Sequence, residues 1–202
     1  MSETSPLALR RSPFHGHASA AHPNAAGQTG VRLQAETLPG VTQISSWISG
    51  VLGLEQALTA LTGQPPPATA GLAQQTVLGL LLRTGPEEFL LVGDTAEAAT
   101  TSLRQVIGAD VGAVTDLSHA RCRIRISGEN CRDTLSKLFP IDLRETAFPL
   151  QQARSTGHHH VPALLYRVAR DQFDIYVFTT YAQDQLHALE DAALEYGVSV
   201  EV

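Results

Sequence analysis

Arg121, Arg123 and Arg125 alternate with Cys122, Ile124 and Ile126 inside DLSHARCRIRISGENCRDTLSKLFPIDL, residues 116–143. In an extended segment alternate side chains share a face, so the three guanidinium groups form a ladder. Each planar fork matches a carboxylate or another oxyanion at two points. Three chemistries suit such a row. It can pair with carboxylates of its own chain, with Asp133, Glu145 and Asp174 as candidates; it can meet an acidic protein partner; or it can hold an anion such as a folate. Pairing within the chain is the first expectation.

Elsewhere the residue types suggest chemistry that their spacing does not support. His158-His159-His160 would aim two imidazoles one way if extended, and two ligands do not close a zinc site. The run reads as an exposed loop entering a hairpin. Asp116, Ser118 and His119 crowd one turn, whereas a working triad needs groups aimed at one another in space. Asp116 or Ser118 reads as a turn cap. Cys122 and Cys131 fit neither a CxxC site nor a disulfide scaffold, and read as buried thiols of a reducing compartment. There is no GxGxxG, no GxxxxGK[ST] and no GxSxG, so no nucleotide, flavin or nucleophile site is assigned. Catalytic, cofactor-binding and metal residues: none.

The aromatics point to contact surfaces. Trp47, the single tryptophan, sits among polar neighbours in TQISSWI and reads as core first, interface anchor second. Tyr176 and Phe178 share a strand face with Asp174, opposite Phe173, Ile175 and Val177. A strand apolar on both faces is covered on both, by its own helices or by a neighbouring subunit. Arg121, Arg123, Arg125, Trp47, Tyr176 and Phe178 are the candidate interface residues.

The elements that must position these side chains come twice. VRLQA and TQISSWI read as strands, and Leu54, Ala57, Leu58 and Leu61 as a helix stopped by Gly63. TVLGLLLR and FLLV flank GPEE as a hairpin, and Asp94 caps a helix bearing Ala99, Leu103, Val106 and Ile107. RCRIRI then opens a second round. Cys131, Leu135 and Leu138 line a helix ending at Pro140, and VPALLYRVA and FDIYVF form a hairpin. Thr180 and Gln183 stand at capping-box spacing before Leu186, Leu189, Ala193 and Tyr196. Gly197 closes that helix, and VSVEV forms a last strand. WISGVLGLEQALTAL resembles RISGENCRDTLSKL, and PEEFLLV resembles DQFDIYV, with Phe89 matching Phe173. The expectation is an α+β fold of duplicated strand–helix–hairpin–helix, ferredoxin-like units sharing one core. Residues 1–28, rich in Ala, Ser, Pro, Gly and His, read as a flexible N-terminal arm. Residues 29–202 read as one domain of two pseudo-repeats, about 31–112 and 113–202.

Bulk properties narrow the class. A formal charge of −6 over 202 residues argues against non-specific nucleic-acid binding. No run approaches the roughly 18 apolar residues of a membrane span. Arg10-Arg11 is followed by PFHGHASAAHPN and not by an apolar stretch, so a cytoplasmic location is expected.

The quoted block 116–143, followed by AFP and then FDIYVFTTYAQDQLHALEDAALEYG, resembles the gamma subunit of heterotetrameric sarcosine oxidase. GPEEFLLVG and RRSPF extend the likeness to most of the chain; GQPPPATAGLAQQ and RSTGHHH lie outside it. That family in turn resembles the folate-binding module of glycine-cleavage T-proteins, whose strand-SGPDA-helix pattern is echoed by Ile126-Ser127-Gly128-Glu129-Asn130. The resemblance implies a folate-binding-domain-like fold in a non-catalytic subunit packed on a large flavoprotein subunit. The implied complex oxidises sarcosine to glycine, passes a one-carbon unit to tetrahydrofolate and reduces oxygen to hydrogen peroxide. Partners are then alpha, beta and delta subunits carrying FAD, FMN, NAD, tetrahydrofolate and zinc, with no cofactor on this chain. Two rivals stand beside this reading: a free-standing folate-binding protein or one-carbon transferase, and an adaptor unconnected with amine oxidation. The folate rival requires a deep pocket with a poised carboxylate and aromatic walls.

Overall fold

Period-two runs form strands and leucine stripes form helices in a computed structural model that describes residues 11–38, 40–93 and 96–202. The first unit contains β3 (Val41–Ser46), α1 (Val51–Thr62), β4 (Ala73–Thr76), β5 (Gly79–Gly85), β6 (Glu88–Val92), α2 (Ala96–Val106) and β7 (Gly112–Asp116). The second contains β8 (Arg121–Ser127), α3 (Cys131–Leu138), β9 (Ala153–His158), β10 (Val161–Ala169), β11 (Gln172–Phe178), α4 (Ala182–Ala193) and β12 (Val198–Glu201). Two strands precede both, β1 (Ala20–His22) and β2 (Val31–Glu36).

One sheet runs β4-β5-β6-β3-β7 and the other β9-β10-β11-β8-β2-β12-β1. The two orders correspond strand for strand, except that β2 is inserted between β8 and β12 and β1 is added at the edge beyond β12. Omitting β4 or β9, each unit is a ferredoxin-like βαββαβ arrangement. The expected doubled α+β architecture is therefore observed, with shifted borders. The first sheet is built from 41–116, because Leu33 and Ala35 of β2 stand opposite Ile126 and Ile124 of β8 in the second.

Three clusters, not one shared core, hold the layers. Leu54 and Leu58 of α1 and Leu103 of α2 bury against Ile44, Leu81, Phe89 and Leu91 of the first sheet. Leu135 of α3 and Leu186 and Leu189 of α4 bury against Ile124, Phe173 and Ile175 of the second. The remaining sheet faces meet through Leu82, Leu90 and Val92 on one side and Leu164, Tyr166 and Tyr176 on the other. The layer order is helices, sheet, sheet, helices.

Residues 11–28 belong to the body, which corrects the flexible arm. Phe14 is completely buried in the second-sheet core. β1 pairs antiparallel with β12, Ala20 opposite Val200. Burial of the phenylalanine contributes about 1.5–3 kcal/mol toward holding the segment in place. Residues 1–10, including Arg10, lie outside the described residues, as does the Asp94 cap.

Other expectations change locally. TVLGLLLR is not one strand: β4 ends at Thr76, whose hydroxyl accepts from the Leu78 amide (3.1 Å) and donates to the Gly79 carbonyl (2.8 Å). Gly79, at φ 126°, then opens β5. The capping box at Thr180 does not form: a 3-10 turn, Thr179–Tyr181, leads into α4. The Gln183 amide instead donates to the carbonyls of Pro13 and His15, 3.3 and 3.1 Å away, fixing the N-terminal segment. Gly63 does stop α1, left-handed at φ 77° with its amide on the Thr59 carbonyl. Both thiols are buried, and burial, then Asp171, pushes Cys131 up to about 11.

One equivalence escaped the sequence pattern. Arg83 on β5 stands opposite Phe89, and Arg167 on β10 opposite Phe173. Each guanidinium lies over its phenylalanine ring, at 4.9 and 5.9 Å. Both ladders shift register just after the arginine. Arg83 donates to Glu55 (2.7 Å) and to the carbonyls of Pro67, Ala68 and Pro86. Arg167 donates to the Phe148 and Arg170 carbonyls and lies 3.3 Å from Glu145.

Candidate interface and the arginine ladder

β8 lies between β2 and β11, so Arg123 and Arg125 have a neighbour on either side, while Arg121, beyond the end of β2, has one only on β11. Arg125 faces Asp174 and Gln34, Arg123 faces Tyr176 and Glu36, and Arg121 faces Phe178. Arg125 forks onto Asp174 at 2.6 and 2.9 Å. Arg123 reaches the same carboxylate at 3.4 Å and also donates to Glu36. Burial depresses Arg123, but Asp174 and Glu36 override it and hold its pKa above the ordinary value. The Asp174 hydrogen bond raises Arg125 likewise. Of the three expected carboxylates only Asp174 serves the ladder. Glu145 pairs with Arg132, Arg167 and Arg170, and Asp133 accepts from Asn130.

Arg121 differs from the other two. Its guanidinium carbon sits 3.7 Å from the centre of the Phe178 ring, and among the described residues no carboxylate lies within 4.0 Å of it. Burial lowers its pKa, with Glu88 opposing more weakly. The ladder therefore divides: Arg123 and Arg125 are committed to internal pairs, while Arg121 stacks on a half-buried phenylalanine.

Two aromatic expectations are corrected. Tyr176 is 1% exposed, wedged between the sheets, and offers no surface to a partner. Burial, then Asp174, raises its phenol pKa. Trp47 is not core: it is 53% exposed in the turn between β3 and α1. Its indole Nε1 donates to the Ala109 carbonyl (2.8 Å) and its amide to Val111 (3.0 Å), which pins the ring at the surface. Ile48 is 83% and Leu52 68% exposed, so three large apolar side chains within residues 47–52 face outward. Ile48 and Leu52 were missed in the sequence. Leu52 lies off the Leu54–Leu58 stripe, and that displacement was the available signal.

Two of the three histidines, His159 and His160, form an exposed turn entering β10 as expected, but His158 is buried at the end of β9. His158 ends β9 opposite Val161, and His159 and His160 adopt left-handed φ of 47° and 68° between the strands. The His158 ring is buried, stacked on His159 (4.1 Å) and near Phe139 (6.0 Å). Burial, then His159, lowers its pKa against an opposing Gln185 hydrogen bond. Asp116 does cap its turn: the Ser118 amide (2.8 Å) and hydroxyl (2.6 Å) both donate to it.

A cleft of about 360 Å³ between the sheets is lined by Arg123, Arg125 and Asp174, with Tyr166 the one aromatic among its described lining residues. Asp174 already receives both arginines, so no free carboxylate is offered to a pterin there. No described helix is long and apolar enough to cross a membrane.

Comparison with known proteins agrees with the sequence resemblance. The sarcosine oxidase gamma subunit family matches residues 55–195. A sarcosine oxidase subunit gamma from Corynebacterium sp. (strain U-96) is 32% identical over 195 residues, spanning 95% of this chain and 93% of the relative. One from Arthrobacter sp. is 30% identical over 193 residues, 94% and 92% of the two chains. Among solved structures, a chain of the heterotetrameric sarcosine oxidase from Corynebacterium sp. U-96 superposes with a TM-score of 0.81 at 29% identity, covering 94% of this chain and 97% of that one. The glycine cleavage system aminomethyltransferase T from Bartonella henselae shares the fold, with a TM-score of 0.61 at 16% identity over 86% of this chain and 48% of that one.

Proposed function

The chain belongs to the sarcosine oxidase gamma subunit family, and from that premise we propose that it is a non-catalytic subunit of a cytoplasmic sarcosine oxidase complex. The complex demethylates sarcosine to glycine, with the one-carbon unit going to tetrahydrofolate and electrons to oxygen. FAD, FMN, NAD, tetrahydrofolate and zinc belong to the alpha, beta and delta partners. This chain supplies shape and contact area beside the large flavoprotein subunit. The observation that carries this reading is the superposition over 97% of a chain from the heterotetrameric enzyme. The internal neutralisation of Arg123, Arg125 and Asp174 supports it, because the best polar cluster is spent on the fold itself.

In this reading Trp47, Ile48 and Leu52 form the apolar centre of the contact, and Arg121 and Phe178 a second, polar part. An apolar patch with a tryptophan anchor is the usual composition of an interface centre. Co-expression with the large subunits and gel filtration tests it. The native chain is expected to elute with the yellow flavoprotein. Ile48→Asp is expected to elute alone while its own stability changes by less than about 0.5 kcal/mol. Unchanged co-elution of Ile48→Asp and Trp47→Ala would remove the patch from the contact. Tight tetrahydrofolate binding by a chain that never joins the complex would establish the rival.

A further inference from the structure

We infer that His17, His187 and Glu190 form a divalent transition-metal site, of the zinc type, that ties the N-terminal segment to α4. One ligand atom from each, an imidazole nitrogen of either histidine and a carboxylate oxygen of Glu190, lies within 4.8 Å of the other two. His17 Nε2 stands 2.9 Å from Glu190 Oε1, and the His17 and His187 rings are 5.0 Å apart. His187 and Glu190 are three residues apart on one helix, so they project from one face of α4. His17 arrives from a segment distant in sequence but fixed nearby, by Phe14 in the core and by the Gln183 bonds to Pro13 and His15.

Two imidazoles and one carboxylate are a ligand set used for zinc, with a water in the fourth position. Metal–ligand bonds of about 2.0–2.2 Å place donors roughly 3.3 Å apart in a tetrahedron, so small side-chain rotations suffice to close the site. Electrostatics favours a cation. α4 carries Asp184, Glu190 and Asp191 and no lysine or arginine. His17 and Glu190 are 11% and 17% exposed, which limits competition from water, while exposed His187 leaves an entry path. Neither the fold comparison nor the proposed subunit role depends on this site. A bound metal would add a cross-link between the segment before β1 and α4.

The test uses the full chain, stripped with chelator and titrated with Co²⁺ and Zn²⁺. One equivalent of Co²⁺ is expected to give visible d–d absorption that Zn²⁺ removes. His17→Ala, His187→Ala and Glu190→Gln are each expected to weaken binding at least about tenfold, judged by the loss of one ligand. His187→Ala is the decisive variant, because the ring is exposed and its removal leaves the His17–Glu190 bond and the fold in place. Limited proteolysis within residues 11–30 should slow when the native chain takes up Zn²⁺ and not in His187→Ala. Absence of stoichiometric binding would overturn the site. So would binding that survives His187→Ala and disappears in His159→Ala/His160→Ala, since the metal would then belong to the hairpin turn.

Discussion

Leu80, Leu82, Leu90 and Val92 of the five-stranded sheet face the seven-stranded one, which answers with Leu164, Tyr166 and Tyr176 and, beside them, with Arg121, Arg123, Arg125 and Asp174. The two halves share a strand order and the Arg83–Phe89 and Arg167–Phe173 pairs, yet their inner faces differ in kind. Both bury apolar surface between the sheets, but only the second adds a charge cluster that must stay complete. The difference shows where identity is specified. A one-residue slip of β8 against β11 would drive three guanidiniums into Ile175 and Phe173, so the charged face fixes register more sharply than an apolar one.

The first way to sharpen this contrast is to make the second half resemble the first. Asp174 follows Phe173 as Leu90 follows Phe89, so Asp174→Leu carries the first-half residue. It is expected to cost about 3 kcal/mol in urea unfolding, because, among the described residues, Arg125 loses its only paired carboxylate and Arg123 one of two. The double variant Arg125→Leu/Asp174→Leu should recover much of that loss; no recovery would mean that the charges do not act as a unit.

The shared arginines come next. Arg83→Ala and Arg167→Ala are each expected to cost about 2 kcal/mol, since each strands backbone carbonyls as well as a glutamate. Arg167 should be the costlier, being 2% exposed against 7% for Arg83. A near-zero effect at either site would break the equivalence, leaving it one of geometry alone.

The smallest effect is a pH slope confined to the second half. His158 has a folded pKa below its ordinary 6.5, mainly through burial. The unfolded chain therefore takes up the proton first, and stability present above pH 6.5 is lost as pH falls through the folded value. The β4–β5 turn, at Val77-Leu78, has no titrating counterpart. Amide protection, measured against the intrinsic exchange rate at each pH, should fall at the β9–β10 hairpin between pH 7 and 5 and not at β4–β5, and His158→Gln should flatten the change.

Central strands were legible in the sequence because both faces are buried or strictly alternating: RCRIRIS and VPALLYRVA could be nothing else. Edge strands were not. β9 (ARSTGH), β7 (GAVTD) and β1 (AAH) pair on one side only and carry little apolar pattern. The Ile-Ser-Gly rhyme misled in detail, since Ile48 lies in an exposed 3-10 turn and Ile126 at the buried end of β8. A better signal was LLRTGPEEF against LYRVARDQF, which aligns both arginines. The arginine row was visible, but its partners needed the register of β11 and β2, and the burial of Tyr176 needed a second sheet that no local pattern announces. His17 was separated from α4 by nearly the whole chain, beyond the reach of spacing arguments.

The placement of β12 between β2 and β1 has a consequence for the order of assembly. The five-stranded sheet draws only on residues 41–116 and can close while the ribosome is still making the rest. The other sheet cannot: β1 has no neighbour but β12, and β2 waits for β8 and then for residues 198–201. β1 therefore stays unpaired until residues 198–201 have been made, whereas β2 gains β8 on one side well before β12 arrives on the other.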